Sequence, residues 1–434
     1  MGAAMQCHFQ IFHDDAWHDC ASLTLLEPAG GNPRTAALFE YDLDYAFFKL
    51  ESGPVSLRFP VTAEMQKLAQ WPAFIFDLIP QGSGRTYLLG QLQLADGPAA
   101  DFPLMCAGAF NPVGRVRIAE AVQYYAQHMH RHDQGKPLSG FSLDEIIGRG
   151  DAFNERMLMH GMLAAGSLGV QGAAPKYLLT TDHAGLWHAD GALADQDAAA
   201  HFIVKRPRGK TASDAKVLRN EAAYMTVARA VGLRTEGQLR YQDDTLFIPR
   251  FDRRILDGKV LRLHQESAAS LAGIVGFEAT PSQFDLLQAL RAVVSDKTAE
   301  TIEFLKRDIL NLAMRNTDNH ARNTAVQQIG AEVRLTPLFD FAPMYLDPDG
   351  IPRAARWYHP DTKNELHDWT TILATIGMPD VERQQIRLAL YGFSQHLVAL
   401  EQHMQEAGVD DDIIAFLRPH IAGQIEQLKA LGEH

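Results

Sequence analysis

Cysteine is scarce: only Cys7, Cys20 and Cys106 occur in 434 residues. Three are too few for a disulfide framework, and they lack metal-ligand spacing. The expected compartment is a reducing cytoplasm. No apolar run approaches the roughly 18 residues that cross a bilayer, so no membrane association is expected. The first residues, MGAAMQCHFQIFHDDAW, have no basic flank and no long apolar stretch, so no signal peptide is expected. Positive charge is in deficit, with 40 Lys plus Arg against 53 Asp plus Glu, a net charge of −13. The chain as a whole therefore does not attract nucleic acid or anionic lipid, although a local basic patch could. Internal repeats and low-complexity segments are missing, which excludes solenoids and arrays. G-x-S-x-G and H-E-x-x-H are absent as well, so serine-hydrolase and zincin readings have no support. What remains is ordinary for a globular protein, 46% hydrophobic and 21% charged, with length for two or three domains.

Along the chain, short β-leaning runs come first. QIFHD, SLTLLE, AALFEY and VSLRFPV read as strands of a small sheet within residues 1–135. WPAFIFDLIPQGSGR (71–85) reads as an apolar segment ending in a Gly-rich turn. Ile118, Val122, Tyr125 and Met129 recur at helical spacing and predict a helix over 115–130. The polar stretch HRHDQGKPLSG (130–140) is the expected linker. Residues 141–270 alternate again: a helix near 153–165, a glycine-rich stretch, the β-like HFIVKRP, the helix RNEAAYMTVARAVGL, then the strands TLFIPRFDRR and KVLRLHQES. Residues 271–434 are mostly helical. Ile302, Leu305, Ile309 and Leu312 form one stripe, Pro379-Asp380 opens a long helix ending near Gly408, and a last helix fills 411–431 with a kink at Pro419. The fold class is α+β, with a β-rich first half and a helical second half interrupted by one β-hairpin.

The polar loop NTDNHARN (316–323) is the strongest chemical signal. Asp318 and Asn323 lie five apart. Phosphoryl transfer needs a carboxylate to orient an attacking hydroxyl and a neutral oxygen to help hold Mg²⁺, and kinase catalytic loops use this spacing. Polar loops after helices are common, so the loop alone is not diagnostic. A predicted hairpin, TAVQQIGAEVRLTP, leads on to PLFDF, where Asp340 could complete a hard-oxygen metal site. GSLGVQGAAPK (166–176) has glycines that would let backbone N–H groups approach phosphates, although it is neither a Walker A loop nor G-x-G-x-x-G. Lys176 and Lys205 are candidate phosphate contacts, and Glu221 is placed to pair with Lys205. The bland alternative for Lys205 is a solvated basic cluster with Arg206, Arg208 and Lys210. Two competing clusters carry less. His128 and His132 are one helical turn apart but have no third ligand, and a polar helix end explains them. Asp318, His320 and Asp340 could also make a metallohydrolase cluster.

Taken in order, VQGAAPKYLL (170–179), HFIVKRP (201–207), NEAAYMTVARAVGL (220–233), RFDRR (250–254), LRLHQES (261–267), TDNHARN (317–323) and LTPLFDF (335–341) resemble the HipA family of bacterial serine/threonine kinases. FIFDLIPQGSGR (74–85) is similar to that family's N-terminal segment. The QGAAPK version resembles the HipH-like branch. The resemblance implies a two-lobed, protein-kinase-like fold: a HipA-type N-terminal subdomain (1–135), the nucleotide-binding part of the N-lobe (141–270) and a helical C-lobe (271–434). It implies ATP and Mg²⁺ as cofactors. Asp318 would be the catalytic base, with His320, Arg322 and Asn323 in its loop. Asn323 and Asp340 would hold the metal. Lys205 would hold phosphates, Gly169, Val170, Gln171, Gly172 and Lys176 would cover them, and Arg322 would assist at the nucleotide. Gln265, Glu266 and Ser267 would hold the adenine, and RFDRR would brace the lobes.

Two departures stand out. Lys176 follows Gln171 by five residues, more than in relatives with a shorter loop. Gapless alignment puts Gly166 where the founding toxin autophosphorylates a serine, with Ser167 one residue later, which argues against self-inactivation there. The family implies a toxin that phosphorylates a translation component such as an aminoacyl-tRNA synthetase, and a helix-turn-helix antitoxin as partner. A weakly active scaffold subunit and a small-molecule kinase are the competing readings.

Overall fold

The computed structural model describes residues 5–26, 33–48, 53–133, 140–148, 153, 176–207, 209, 211–277 and 279–432. Contacts divide the chain into two compact units, Met1–Arg206 with Phe247–Phe277, and Pro207–Leu246 with Glu278–His434. The stretch 141–270 is thus shared between them.

In the first unit, β1 (Met5–His13) and β2 (Ala16–Leu25) form a long antiparallel hairpin. QIFHD is therefore not all strand. Asp14 and Asp15 make the turn, both at positive φ (47° and 60°), the geometry that matches strand twist in two-residue hairpins. The sheet is completed by β3 (Ala37–Tyr41), β4 (Gln66–Leu68) and β5 (Val116–Ile118), in the order β4-β3-β2-β1-β5. VSLRFPV, expected as a strand, is a turn region instead. Pro54 and Pro60 remove ladder donors, and the Leu57 N–H and Ser56 hydroxyl both donate to the Glu266 carboxylate, at 2.8 and 2.6 Å. The apolar segment after Trp71 is a buried 3₁₀ stretch, Ala73–Asp77. The glycines after it open a helix rather than form a turn.

That helix is α1 (Gly82–Leu92), followed by α2 (Pro98–Gly108) and α3 (Ala119–Asp133). Helix α3 starts later than its periodicity suggests because Val116–Ile118 pair with β1. His128 is buried, with its ring 6.2 Å from Tyr124 and 6.4 Å from Tyr87, so it is packing rather than a polar helix end. The side chain of His132 and the linker residues 134–139 lie outside the described residues, as do 154–165 of the next expected helix. A second sheet holds β6 (Lys176–Asp182), β7 (Trp187–Ala189) and β8 (Ala198–Lys205) in the order β7-β6-β8. The tight hairpin of β9 (Arg240–Gln242) and β10 (Thr245–Pro249) brings Phe247–Pro249 beside β8. The strands β11 (Arg253–Leu256), β12 (Lys259–Arg262) and β13 (His264–Ser267) follow.

RFDRR is the polar centre of this unit. Arg250 donates to Asp190 and, at 2.7 Å, to Asp252, while Arg253 donates to Asp252 and to the carbonyls of Pro112 and Gly114. These partners all lie within the first unit. The motif therefore ties the second sheet to the 112–114 turn within that unit. Desolvation alone would raise the Asp190 and Asp252 carboxyls. Arg250 and Arg253, joined by His201 at Asp190 and by the Gly114 N–H at Asp252, together outweigh it and hold both below the ordinary range.

The second unit is helical apart from β9, the start of β10 and the hairpin of β14 (Ala325–Ile329) and β15 (Glu332–Leu335), which turns at Gly330 (φ 61°). Its helices are α4 (Ala212–Ala230), α5 (Gln283–Val293), α6 (Lys297–Ala313), α7 (Trp369–Thr375), α8 (Asp380–Val398), α9 (Leu400–Ala407) and α10 (Asp411–Ala430). The expected single helix to Gly408 is two helices meeting at Ala399, without a Gly or Pro at the break. Helix α6 is central and packs on α5, α8, α10 and β15. Leu305 and Ile309 are fully buried, but so are Leu310 and Ala313, so the core face is wider than one stripe.

Candidate active site

Helix α6 carries charges on its buried faces, and each is used. The Glu300 carboxylate receives both Arg234 Nη atoms, at 2.9 and 2.8 Å, and the Leu335 N–H at 2.8 Å. The Arg307 guanidinium donates to Glu303 and, at 2.6 Å, to the Thr336 carbonyl. The Leu338 N–H donates to the Arg234 carbonyl at 2.8 Å. The strap leaving β15 is therefore fixed along 335–338, and it delivers Asp340. Phe341 anchors the far side, buried with its ring 5.3 Å from Tyr224. Asp340 itself sits at φ 51°, a left-handed conformation uncommon outside glycine. Such outliers cluster where function over-determines the backbone.

The loop NTDNHARN enters from the end of α6. The Asn323 side-chain amide donates to the Asp318 carbonyl at 2.8 Å, so the five-residue spacing closes the loop on itself. The His320 Nε2 lies 3.7 Å from the Asp318 carboxylate. The Arg322 N–H donates to His320 Nδ1 at 3.3 Å, and the Arg322 side chain is buried. The Asn316 amide donates to Asn311 at 3.0 Å and to the Asp340 carbonyl at 3.4 Å, which joins loop and strap directly. Asp318, Asn323 and Asp340 line one cavity of about 30 Å³, together with Asn316, Asn319 and Asp308. That volume suits an ion or a few waters. Asn316 Oδ1 is buried there without a protein partner among the described residues. Carboxylates and neutral amide oxygens are donors that fit a hard cation such as Mg²⁺. Sequence reasoning passed over Asn316, Asn319 and Asp308. The first two were visible inside the polar loop, and Asp308 was visible as an acid on the apolar face of a helix.

The remaining candidates lie in the first unit. Lys176 and Lys205 are direct partners across the antiparallel pair β6–β8, and both are buried. Lys205 is therefore not in a solvated basic cluster. Gly169, Val170, Gln171 and Gly172 lie outside the described residues, as do Gly166 and Ser167. Glu266 is buried and accepts from Ser56, Leu57 and Ser270. Ser267 caps the helical turn Ala268–Leu271 and donates to Asp77 at 2.7 Å. Both side chains thus have structural partners, and Gln265 keeps a buried Oε1 without a protein partner among the described residues. Glu221 is buried on α4 in the second unit.

Comparison with known proteins relates the chain to a family. The model of the HipA-like C-terminal domain matches residues 168–399. A Sinorhizobium fredii protein named "Putative kinase Y4mE" is 27% identical over 351 residues, 76% of this chain and 79% of its own length. In three dimensions the chain is similar to one from the Shewanella oneidensis MR-1 toxin–antitoxin complex of HipA, HipB and operator DNA. The TM-score is 0.65 at 18% identity, covering 98% of this chain and 97% of that one. At that identity the likeness shows the fold.

Proposed function

The chain belongs to the HipA-like C-terminal domain family, and from that premise we propose that it is a serine/threonine protein kinase using ATP and Mg²⁺. One observation carries the reading: Asp318, Asn323 and Asp340 line a single cavity, on a loop and a strap fixed to each other through Asn316. Asp318 orients the acceptor hydroxyl and takes its proton, and His320 sits close enough to share in steering that carboxylate. Asn323 commits its amide nitrogen to the loop, which leaves its amide oxygen for the metal alongside the Asp340 carboxylate. Bound Mg²⁺ would offset charge on the transferring phosphoryl group.

Lys176 and Lys205 hold the phosphates. Directly opposed residues of an antiparallel pair share one face of the sheet, so both ammonium groups can reach one phosphate chain. Residues 169–172 cover the phosphates, Arg322 assists at the nucleotide, and Gln265, Glu266 and Ser267 receive the adenine. The two buried carboxyl and hydroxyl side chains shape the strand that carries Gln265, so the contact falls to Gln265 and the main chain.

The acceptor is a protein, with a translation component such as an aminoacyl-tRNA synthetase as the first to test. A helix-turn-helix antitoxin is the proposed partner, because the structurally similar chain comes from a complex with HipB and operator DNA. The experiment is transfer of labelled γ-phosphate to proteins of a cell lysate by wild type and by Asp340→Asn, scored beside growth arrest. Transfer and arrest lost together support the kinase. Arrest that persists without transfer favours a scaffold role.

A further inference from the structure

We propose that Asn319 is a positioning residue for Asp318, acting by latching the catalytic loop to the extended segment Ile351–Tyr358. The inference rests on the kinase reading and adds to it a residue and a segment. The Asn319 N–H donates to the Thr317 carbonyl at 2.9 Å, which makes a three-residue turn with Asp318 at its apex. One bond closes such a turn, so its orientation depends on what holds its flanks. On one side Asn323 holds the Asp318 carbonyl. On the other, Asn319 is buried and its side chain is committed to main chain. Its oxygen accepts from the Ala354 and Ala355 N–H groups at 3.0 and 3.3 Å, and its amide donates to the Ala355 carbonyl at 2.8 Å.

The segment it grips is itself anchored. The Asp308 carboxylate, on α6, accepts from the Arg353 guanidinium, from the Trp357 indole at 2.8 Å and from Gln283 at 3.1 Å. Arg353 Nε also donates to the Ala355 carbonyl at 3.1 Å. The chain of contacts runs from the rigid core helix, through Asp308, to residues 353–357, and back through Asn319 to the turn bearing Asp318. Because its polar atoms bond main chain, Asn319 orients Asp318 and takes no part in the chemistry.

The test compares wild type, Asn319→Ala and Asn319→Asp in steady-state phosphotransfer to a lysate-derived acceptor, with amide hydrogen exchange of residues 351–357. Misplacing a catalytic group by about 1 Å costs up to roughly 100-fold. Asn319→Ala is expected to lower kcat roughly 10- to 100-fold while KM for ATP holds and exchange in 351–357 quickens. Asn319→Asp keeps the two accepted bonds and should fall between, which serves as the measurement if the alanine variant does not fold. Faster exchange with wild-type kcat would overturn the proposal, as would a lowered kcat with unchanged exchange. If wild type transfers no phosphate, the kinase reading fails and the positioning role with it; the exchange data then report on the latch alone.

Discussion

Asp318 and Asp340 carry the same functional group at different backbone cost. Asp318 is half-buried, and its carboxylate lies 3.7 Å from His320 Nε2. Asp340 is held at φ 51°, where a Cβ is disfavoured by about 1 kcal/mol or more. Asp340→Gly should therefore abolish transfer yet be more stable than Asp340→Ala by about 1 kcal/mol, read as the difference in chemical denaturation midpoints. Equal stability of the two variants would mean that the strap imposes no strain. At this scale the sequence was informative in an uneven way. Asp318 and Asn323 stood out because both sit in a loop free of large apolar residues. Asn319 sits in the same loop, but its role could not be read there, since its partners are main-chain atoms 35 and 36 residues away.

Elements show what decides such cases. The periodicity of 302–312 reports α6 because a helix writes its burial into its own sequence. VSLRFPV has the composition of a strand and is none, because its donors go to Glu266, 209 and 210 residues on. The contacts of RFDRR were hidden for the same reason: apart from its own Asp252, its partners are Asp190 and the carbonyls of Pro112 and Gly114, distant in sequence. This network also sets a pH dependence. Asp190 and Asp252 have folded-state carboxyls below the ordinary range, because Arg250, Arg253 and their other hydrogen-bond partners together outweigh the effect of burial. The unfolded chain binds those protons near the usual aspartate value of about 4, so their stabilisation is complete above it and is lost as pH falls toward the lowered values. The melting temperature should drop as pH is taken below about 4, and Asp252→Asn should flatten that drop while lowering stability at neutral pH. A wild-type melting temperature flat down to about pH 3 would contradict this.

Across the whole molecule, the order of the motifs proved more telling than any one of them. Each was an ordinary loop or charge run alone, and their succession over most of the chain indicated the family. The division into two units was less legible, because residues 207–246 lie between two stretches of the first unit in sequence while packing with the second. Among the described residues no helix is long and apolar enough to cross a membrane. If Lys176 and Lys205 hold phosphates, Mg·ATP at about 100 times its Kd should add roughly 2.7 kcal/mol of stability to the nucleotide-binding unit. Thermal shift should show it for wild type and lose most of it in Lys205→Ala; an equal shift in both would remove Lys205 from the phosphate site.

The central claim is that Asp318 performs phosphoryl transfer from a cavity it shares with Asn323 and Asp340. The direct measurement is intact mass of this protein and of lysate proteins after incubation with Mg·ATP, for wild type and for Asp318→Ala shown to melt at the same temperature. The account predicts phosphate added to an acceptor by wild type and none by the variant. Equal phosphorylation by both would contradict it.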